Sequence, residues 1–150
     1  MNRTTRTLIL LALVAVASRV DAARMPHTHL LFSNVKNVNG FDSGFVIANT
    51  SMDPLGTTPE DGSCTVTFFG THAGSPFTTP TIKAGSTFAF LLSIVQPGFE
   101  GYAFADCTFD HPHGLAFVSD VGTRNLIAAD EALVVPASKK RPASGERLLH

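Results

Sequence analysis

The chain has no tryptophan, one tyrosine and two cysteines, and it is poor in charge, with 11 Lys or Arg against 12 Asp or Glu and a formal net charge of −1. A balance this close to zero supplies neither a basic field for nucleic acid nor an acidic field that gathers cations. Carbohydrate and ligand platforms usually lean on Trp and Tyr, whose rings carry a polar handle. Here 12 phenylalanines stand in their place, which points to a dry core. The common signatures of catalysis are missing too: there is no G-x-S-x-G, no HExxH and no P-loop. No enzymatic activity and no cofactor are therefore expected. No apolar run approaches the length of a membrane span, about 20 residues.

What is present begins with an export signal. Arg3 and Arg6 precede an apolar stretch from Leu8 to Ala17, and Val20-Asp21-Ala22 places small residues at −3 and −1. This order predicts a signal peptide over residues 1–22 and a mature chain starting at Ala23, in the periplasm or outside the cell. No cysteine sits at the cleavage site, which argues against a lipoprotein. In an oxidising compartment Cys64 and Cys107 most simply form a disulfide, the alternative being a redox or metal thiol pair that lacks CxxC spacing. Closing that loop stabilises by roughly 4 kcal/mol on the chain-entropy model. At the other end, residues 137–150 read as a disordered basic tail. Its Lys139-Lys140-Arg141 cluster is a solvated run or, alternatively, a membrane- or polymer-binding patch.

Between these ends, residues 23–136 have the length of one domain. Apolar residues fall in blocks of four to eight bounded by Gly, Pro, Asn, Asp or Ser, the strand pattern. The predicted strands are His29–Ser33, Gly44–Asn49, Ser63–Phe69, Phe77–Ile82, Thr87–Ile94, Gly101–Phe109 and Gly114–Asp120, with Ala132–Val135 as a short closing strand. In Cys64–Phe68 the apolar residues take one face and the threonines the other. In Gly101–Cys107, Tyr102 and Phe104 share a face with Asp106, while Ala103 and Ala105 share the opposite face with Cys107. Those small neighbours leave room for a bridge to Cys64 on a facing strand, stapling two sheets. Asn39-Gly40, Asp53–Gly56, Pro59–Gly62, Lys83–Ser86 and Gln96–Gly98 supply turns. Thr123–Glu131 is the one place where a helical turn fits, started by Asn125. The pattern predicts an all-β fold, an antiparallel Ig-like β-sandwich of about seven to eight strands with one inter-strand disulfide. A barrel or jelly roll is the main competitor.

Histidines form the most suggestive chemistry. His27-Thr28-His29 and His111-Pro112-His113 are two H-x-H pairs, with His72 between them. Residues two apart on a strand point to one side, so each pair would offer two imidazoles to copper or zinc. Asp42, Asp53, Glu60, Asp61, Asp106, Asp110 and Asp120 fall at predicted turns or strand ends, where the side chain bonds nearby amides. A loop such as Asp53 to Glu60-Asp61 is a weaker calcium candidate, since EF-hand spacing is absent. Arg124 is placed to pin Asp120 or Asp106 by a salt bridge, and Asn49-Thr50-Ser51 matches a glycosylation sequon. A hydrolase on this scaffold would need Asp106, His113 and Asp120 to converge.

The order of motifs from Leu31 to Pro136 is specific. It runs through Gly40-Phe41-Asp42-Ser43-Gly44, Ile47-Ala48-Asn49-Thr50-Ser51, Asp53–Pro59, Gly62-Ser63-Cys64-Thr65 and Phe68-Phe69-Gly70. It continues with Pro97–Tyr102 and closes with His113–Leu126. This stretch resembles a family of bacterial exported domains, Ig-type β-sandwich modules that occur alone or within larger secreted proteins. The resemblance implies that Cys64 and Cys107 belong together, and it carries no named activity. His111-Pro112 beside His113 and the basic tail depart from the family pattern. The function expected is a non-catalytic module with a structural or adhesive role, binding a protein partner or itself through edge strands. Nucleic acid is not expected as a partner, nor membrane insertion once the leader is removed. The alternative is a periplasmic copper or zinc protein using His27, His29, His111 and His113.

Overall fold

Alternation along the chain builds two sheets whose small and large side chains interleave. The computed structural model describes residues 28–136; the predicted leader, His27 and the 137–150 tail lie outside the described residues. Nine strands follow in order: β1 (Thr28–Lys36), β2 (Phe41–Asn49), β3 (Cys64–Thr71), β4 (Phe77–Thr78), β5 (Thr87–Leu91), β6 (Glu100–Cys107), β7 (Pro112–Asp120), β8 (Asn125–Glu131) and β9 (Leu133–Pro136). A single helical turn, α1 (Leu92–Val95), follows β5. One sheet has the order β4-β3-β6-β1-β9 and the other β5-β2-β7-β8, with every pairing antiparallel. The expected antiparallel β-sandwich is the fold observed, with nine strands where about seven to eight were expected.

Leu30, Phe32 and Val35 of β1, Val66 and Phe68 of β3, and Ala103 and Ala105 of β6 are buried and face Phe45 and Ile47 of β2 and Ala116 and Val118 of β7. The register sets Phe68 opposite Ala103 and Val66 opposite Ala105, so each bulky residue of β3 meets a small one on β6. The rings join the layers. Phe45 lies 4.9 Å from Phe32 and 6.4 Å from Phe68 across the core, and stacks on its neighbour Phe90 at 4.7 Å. Apolar burial of this kind, non-directional and proportional to area, is the main force holding two sheets face to face.

Asn39 and Gly40 both adopt positive φ (55° and 81°), the two-residue turn their identities favour. The chain then passes from β1 to β2, tied by Ser43 Oγ to the Lys36 backbone at 2.8 and 3.0 Å. Gly44 has a second requirement. A Cβ there would stand 2.0 Å from the Phe117 ring, so the bare backbone is what lets that ring lie on the sheet.

Four expectations are corrected. The Phe77–Ile82 block pairs only as the two-residue β4, and Ile82 makes an isolated bridge to Gly62. Thr123–Glu131 is not helical: Asn125–Glu131 is strand β8, laid along the open edge of β7. A helix so short gains too few internal hydrogen bonds to stand alone, whereas the edge of β7 offers a ready ladder. Asp42 lies inside β2 rather than at a turn, and its carboxylate accepts from Ser93 N at 3.1 Å, Ser93 Oγ at 2.6 Å and Asn37 Nδ2 at 3.2 Å, anchoring α1. The disulfide, finally, does not staple the sheets together. Cys64 and Cys107 are directly opposed on the adjacent strands β3 and β6 of one sheet, Cα to Cα 4.0 Å. That separation suits a non-hydrogen-bonded antiparallel pair, where the side chains stand closest.

Candidate functional site

Strand alternation sorts the outer face of the five-stranded sheet into rows. Since Cys64, Val66 and Phe68 point inward, Thr65, Thr67 and Phe69 point out. The same rule turns Tyr102, Phe104 and Asp106 of β6, and His29, Leu31 and Ser33 of β1, toward solvent. The register aligns Thr65, Asp106, His29 and Val135 in one row, and Thr67, Phe104, Leu31 and Leu133 in the next. Phe69 faces Tyr102 beyond them.

The first row is polar except for Val135 at its end. His29 Nδ1 bonds to Asp106 Oδ1, and Thr65 Oγ1 lies 3.2 Å from Thr78 Oγ1. The others are apolar and aromatic. Phe69 and Tyr102 stack with centroids 5.3 Å apart, and Phe104 meets both edge-on at 6.1 Å. Phe69 and Tyr102 are each 42% exposed and Leu133 is 61% exposed. A shallow hollow of about 380 Å³ lies between Leu31, Ser33, Tyr102 and Phe104. An aromatic cluster left partly open on a sheet face marks a contact surface. The reading of the phenylalanines as a dry core therefore fails for Phe69 and Phe104. The signal was present in the alternation, which placed Tyr102 and Phe104 beside Asp106.

The histidines separate. His29 is on the outer face of one sheet and His113 on that of the other, 3.7 Å from Glu131. His111 is not on a strand. Its φ of 55° places it in a left-handed turn before β7, and its carbonyl accepts from Thr50 N at 3.3 Å and Oγ1 at 2.6 Å. The extended backbone that would align His111 with His113 is thus interrupted. His72 bonds Gly98 O through Nδ1 at 3.2 Å. Among the described residues no group of three or more His, Cys, Asp or Glu is arranged to hold a metal ion. Asp106, His113 and Asp120 do not converge: Asp106 is on the opposite sheet, and Asp120 is at the far end of β7.

Two of the carboxylates, Asp53 and Asp120, hold their own turns, as expected. Asp53 Oδ1 accepts from Leu55 N at 2.7 Å. A hydrogen bond from the Thr57 side chain, then that amide, holds its pKa below the ordinary aspartate value. Asp120 Oδ1 accepts from Gly122 N at 2.8 Å and Thr123 N at 3.2 Å, and the Thr123 amide is the main cause of its lowered pKa. Asp61 accepts from Ala84 N at 2.9 Å. Glu60, Asp110 and His111 border a polar hollow of about 450 Å³ with Thr57, Thr58 and Pro59. Arg124 forms no ion pair with Asp120 or Asp106, which are engaged by amides and by His29.

The sequon is closed. Asn49 is 1% exposed and donates its amide to Glu60 O at 2.7 Å and Ile82 O at 3.0 Å, leaving no free nitrogen for a glycan.

Fold and face together define a disulfide-bonded β-sandwich with an open aromatic surface. Compared with models of known families, with curated proteins and with solved structures, the chain matches none. Among the described residues no helix is long and apolar enough to cross a membrane.

Proposed function

We propose that this chain is a secreted or periplasmic, non-catalytic β-sandwich module that acts by binding protein, in a structural or adhesive role. The observation that carries the reading is the outer aromatic face formed by Phe69, Tyr102, Phe104, Leu31 and Leu133. Surfaces with exposed aromatic rings on a rigid sheet gain more from desolvation by a partner than from solvent, and such rings are enriched at contact centres. The export signal of the first 22 residues and the resemblance to bacterial exported modules support the compartment, as does the Cys64–Cys107 disulfide, a bond that persists in oxidising surroundings.

The test is site-specific crosslinking in cells of the native host. Phe69→p-benzoylphenylalanine is expected to trap one defined protein on irradiation, and the same replacement at Thr87, on the other sheet, is not. Absence of any adduct at position 69 overturns the reading. So does micromolar copper or zinc binding that disappears in the His111→Ala/His113→Ala double variant, which establishes the metal-binding alternative instead.

A further inference from the structure

The strands of the five-stranded sheet hold two carboxylates, Asp106 and Glu100, both on β6. Counting back from Asp106 through Phe104 and Tyr102, alternation puts Glu100 on the outer face as well. Their surroundings differ. Asp106 is engaged by His29, whereas Glu100 is exposed and has no ion pair or side-chain hydrogen bond among the described residues. Lys36 stands opposite Glu100 in the register, but its Nζ lies over the Phe41 ring, 4.4 Å from the centroid. An uncompensated negative charge is thus left two residues from Tyr102 on one strand, about 7 Å along it. Beside that charge, Phe69 and Tyr102 stack with an interplanar angle of 12°. Phe104 stands at 88° and 81° to these rings, on the side of Tyr102 away from Glu100.

We infer that this face receives an arginine side chain of a partner protein, its guanidinium stacked on the Phe69 and Tyr102 rings and forked onto the Glu100 carboxylate. This rests on the proposed protein-binding role and names the chemistry of the partner. Exposed rings attract a cation through their negative faces, and a carboxylate within reach adds a charge-assisted bond. Arginine satisfies both at once, because its guanidinium is planar, stacks on rings and matches the carboxylate fork. Lysine brings a compact, strongly hydrated point charge that does neither as well. A purely apolar partner would cover Glu100 without a counter-charge, and desolvating an unpaired carboxylate opposes binding. Arginine is also among the residues that dominate contact centres, alongside the aromatic rings already present here.

Tyr102 is the only tyrosine and the chain has no tryptophan, so the tyrosine emission of the purified full chain reads this face alone. Titration with N-acetyl-arginine amide is expected to change that emission saturably, while the neutral citrulline amide of the same shape does not. Glu100→Gln, at an exposed position, is expected to weaken the arginine response by about threefold or more. Added salt weakens it too, since the pair is open to solvent. Glu131→Gln, on the other sheet, leaves it unchanged. So does replacement of Lys139, Lys140 and Arg141 by glutamine; a stronger response in that variant would place the chain's own basic tail on the face and overturn the inference. Equal responses to the two amides overturn it, as does a response indifferent to Glu100→Gln. Crosslinking at Phe69 reads partner binding whatever the partner's charge. An adduct there without an arginine response sinks this inference alone, and an arginine response without an adduct sinks the protein-binding role while the arginine site stands.

Discussion

Asn49 shows how one side chain organises the loops at one end of the sandwich. Its Nδ2 donates to the carbonyls of Glu60 and Ile82, and its Oδ1 accepts from Ser51 N at 3.2 Å and Ser51 Oγ at 2.7 Å. One carboxamide thus joins the end of β2, the Asp53–Glu60 loop and the Gly62–Ile82 bridge. Buried polar groups left without a partner cost about 1–3 kcal/mol each. Asn49→Ala is accordingly expected to lower unfolding free energy by about 3 kcal/mol in urea titration. Asn49→Asp is expected to do more damage at neutral pH, since a carboxylate would face two carbonyls that need donors. Should Asn49→Asp match the wild type, the hub is not what holds these loops. The sequence showed Asn49 only as part of a sequon: Ser51 lies two residues on, but Glu60 and Ile82, which complete the hub, are brought to it by the fold rather than by spacing. The same holds for Asp42, whose partner Ser93 is 51 residues away.

At the scale of the element, β3 and β6 carry two kinds of linkage at once, a ladder from Cys64–Cys107 to Thr71–Glu100 and the covalent bond at its end. The bond closes a loop with a sequence separation of 43, so its removal restores entropy to the unfolded chain. The Cys64→Ala/Cys107→Ala variant is expected to lose about 4 kcal/mol of stability in the same titration while keeping its sheet circular dichroism. Loss of folded structure altogether would show that the ladder does not hold β3 without the bond. The pairing of the cysteines was legible, but their placement was not. Alternation shows which face Cys107 occupies, and small Ala103 and Ala105 read as room for an opposite sheet, whereas they make room for Val66 and Phe68 beside them. β8 was misread for a related reason. Its Leu, Ile and Ala residues are acceptable in a helix, and a strand with both faces exposed has no alternation to reveal it. The buried strands β1, β2, β3, β6 and β7 were readable because one face of each had to be apolar.

Across the whole molecule the aromatic rings fall into two populations that composition alone does not separate. Phe45 sits at the junction of the sheets, fully buried and within 4.7–6.4 Å of the rings of Phe90, Phe32 and Phe68. Phe68 extends the chain of rings to Phe99 at 5.4 Å, and Phe77 reaches Phe90 at 4.9 Å. Truncating a ring at such a junction removes its transfer free energy and leaves a cavity that packed neighbours cannot fill. Phe45→Ala is therefore expected to cost about 4 kcal/mol by urea unfolding. Phe69 and Tyr102 lie on the outside of the five-stranded sheet, each 42% exposed. Phe69→Ala and Tyr102→Ser leave no cavity between the sheets and are expected to change stability by about 1 kcal/mol or less. A large residue that contributes little to the fold yet stays grouped with two other rings is better explained by contact with a partner than by packing. If the outer substitutions cost as much as Phe45→Ala, the outer rings belong to the fold, and the argument for a binding face loses its basis.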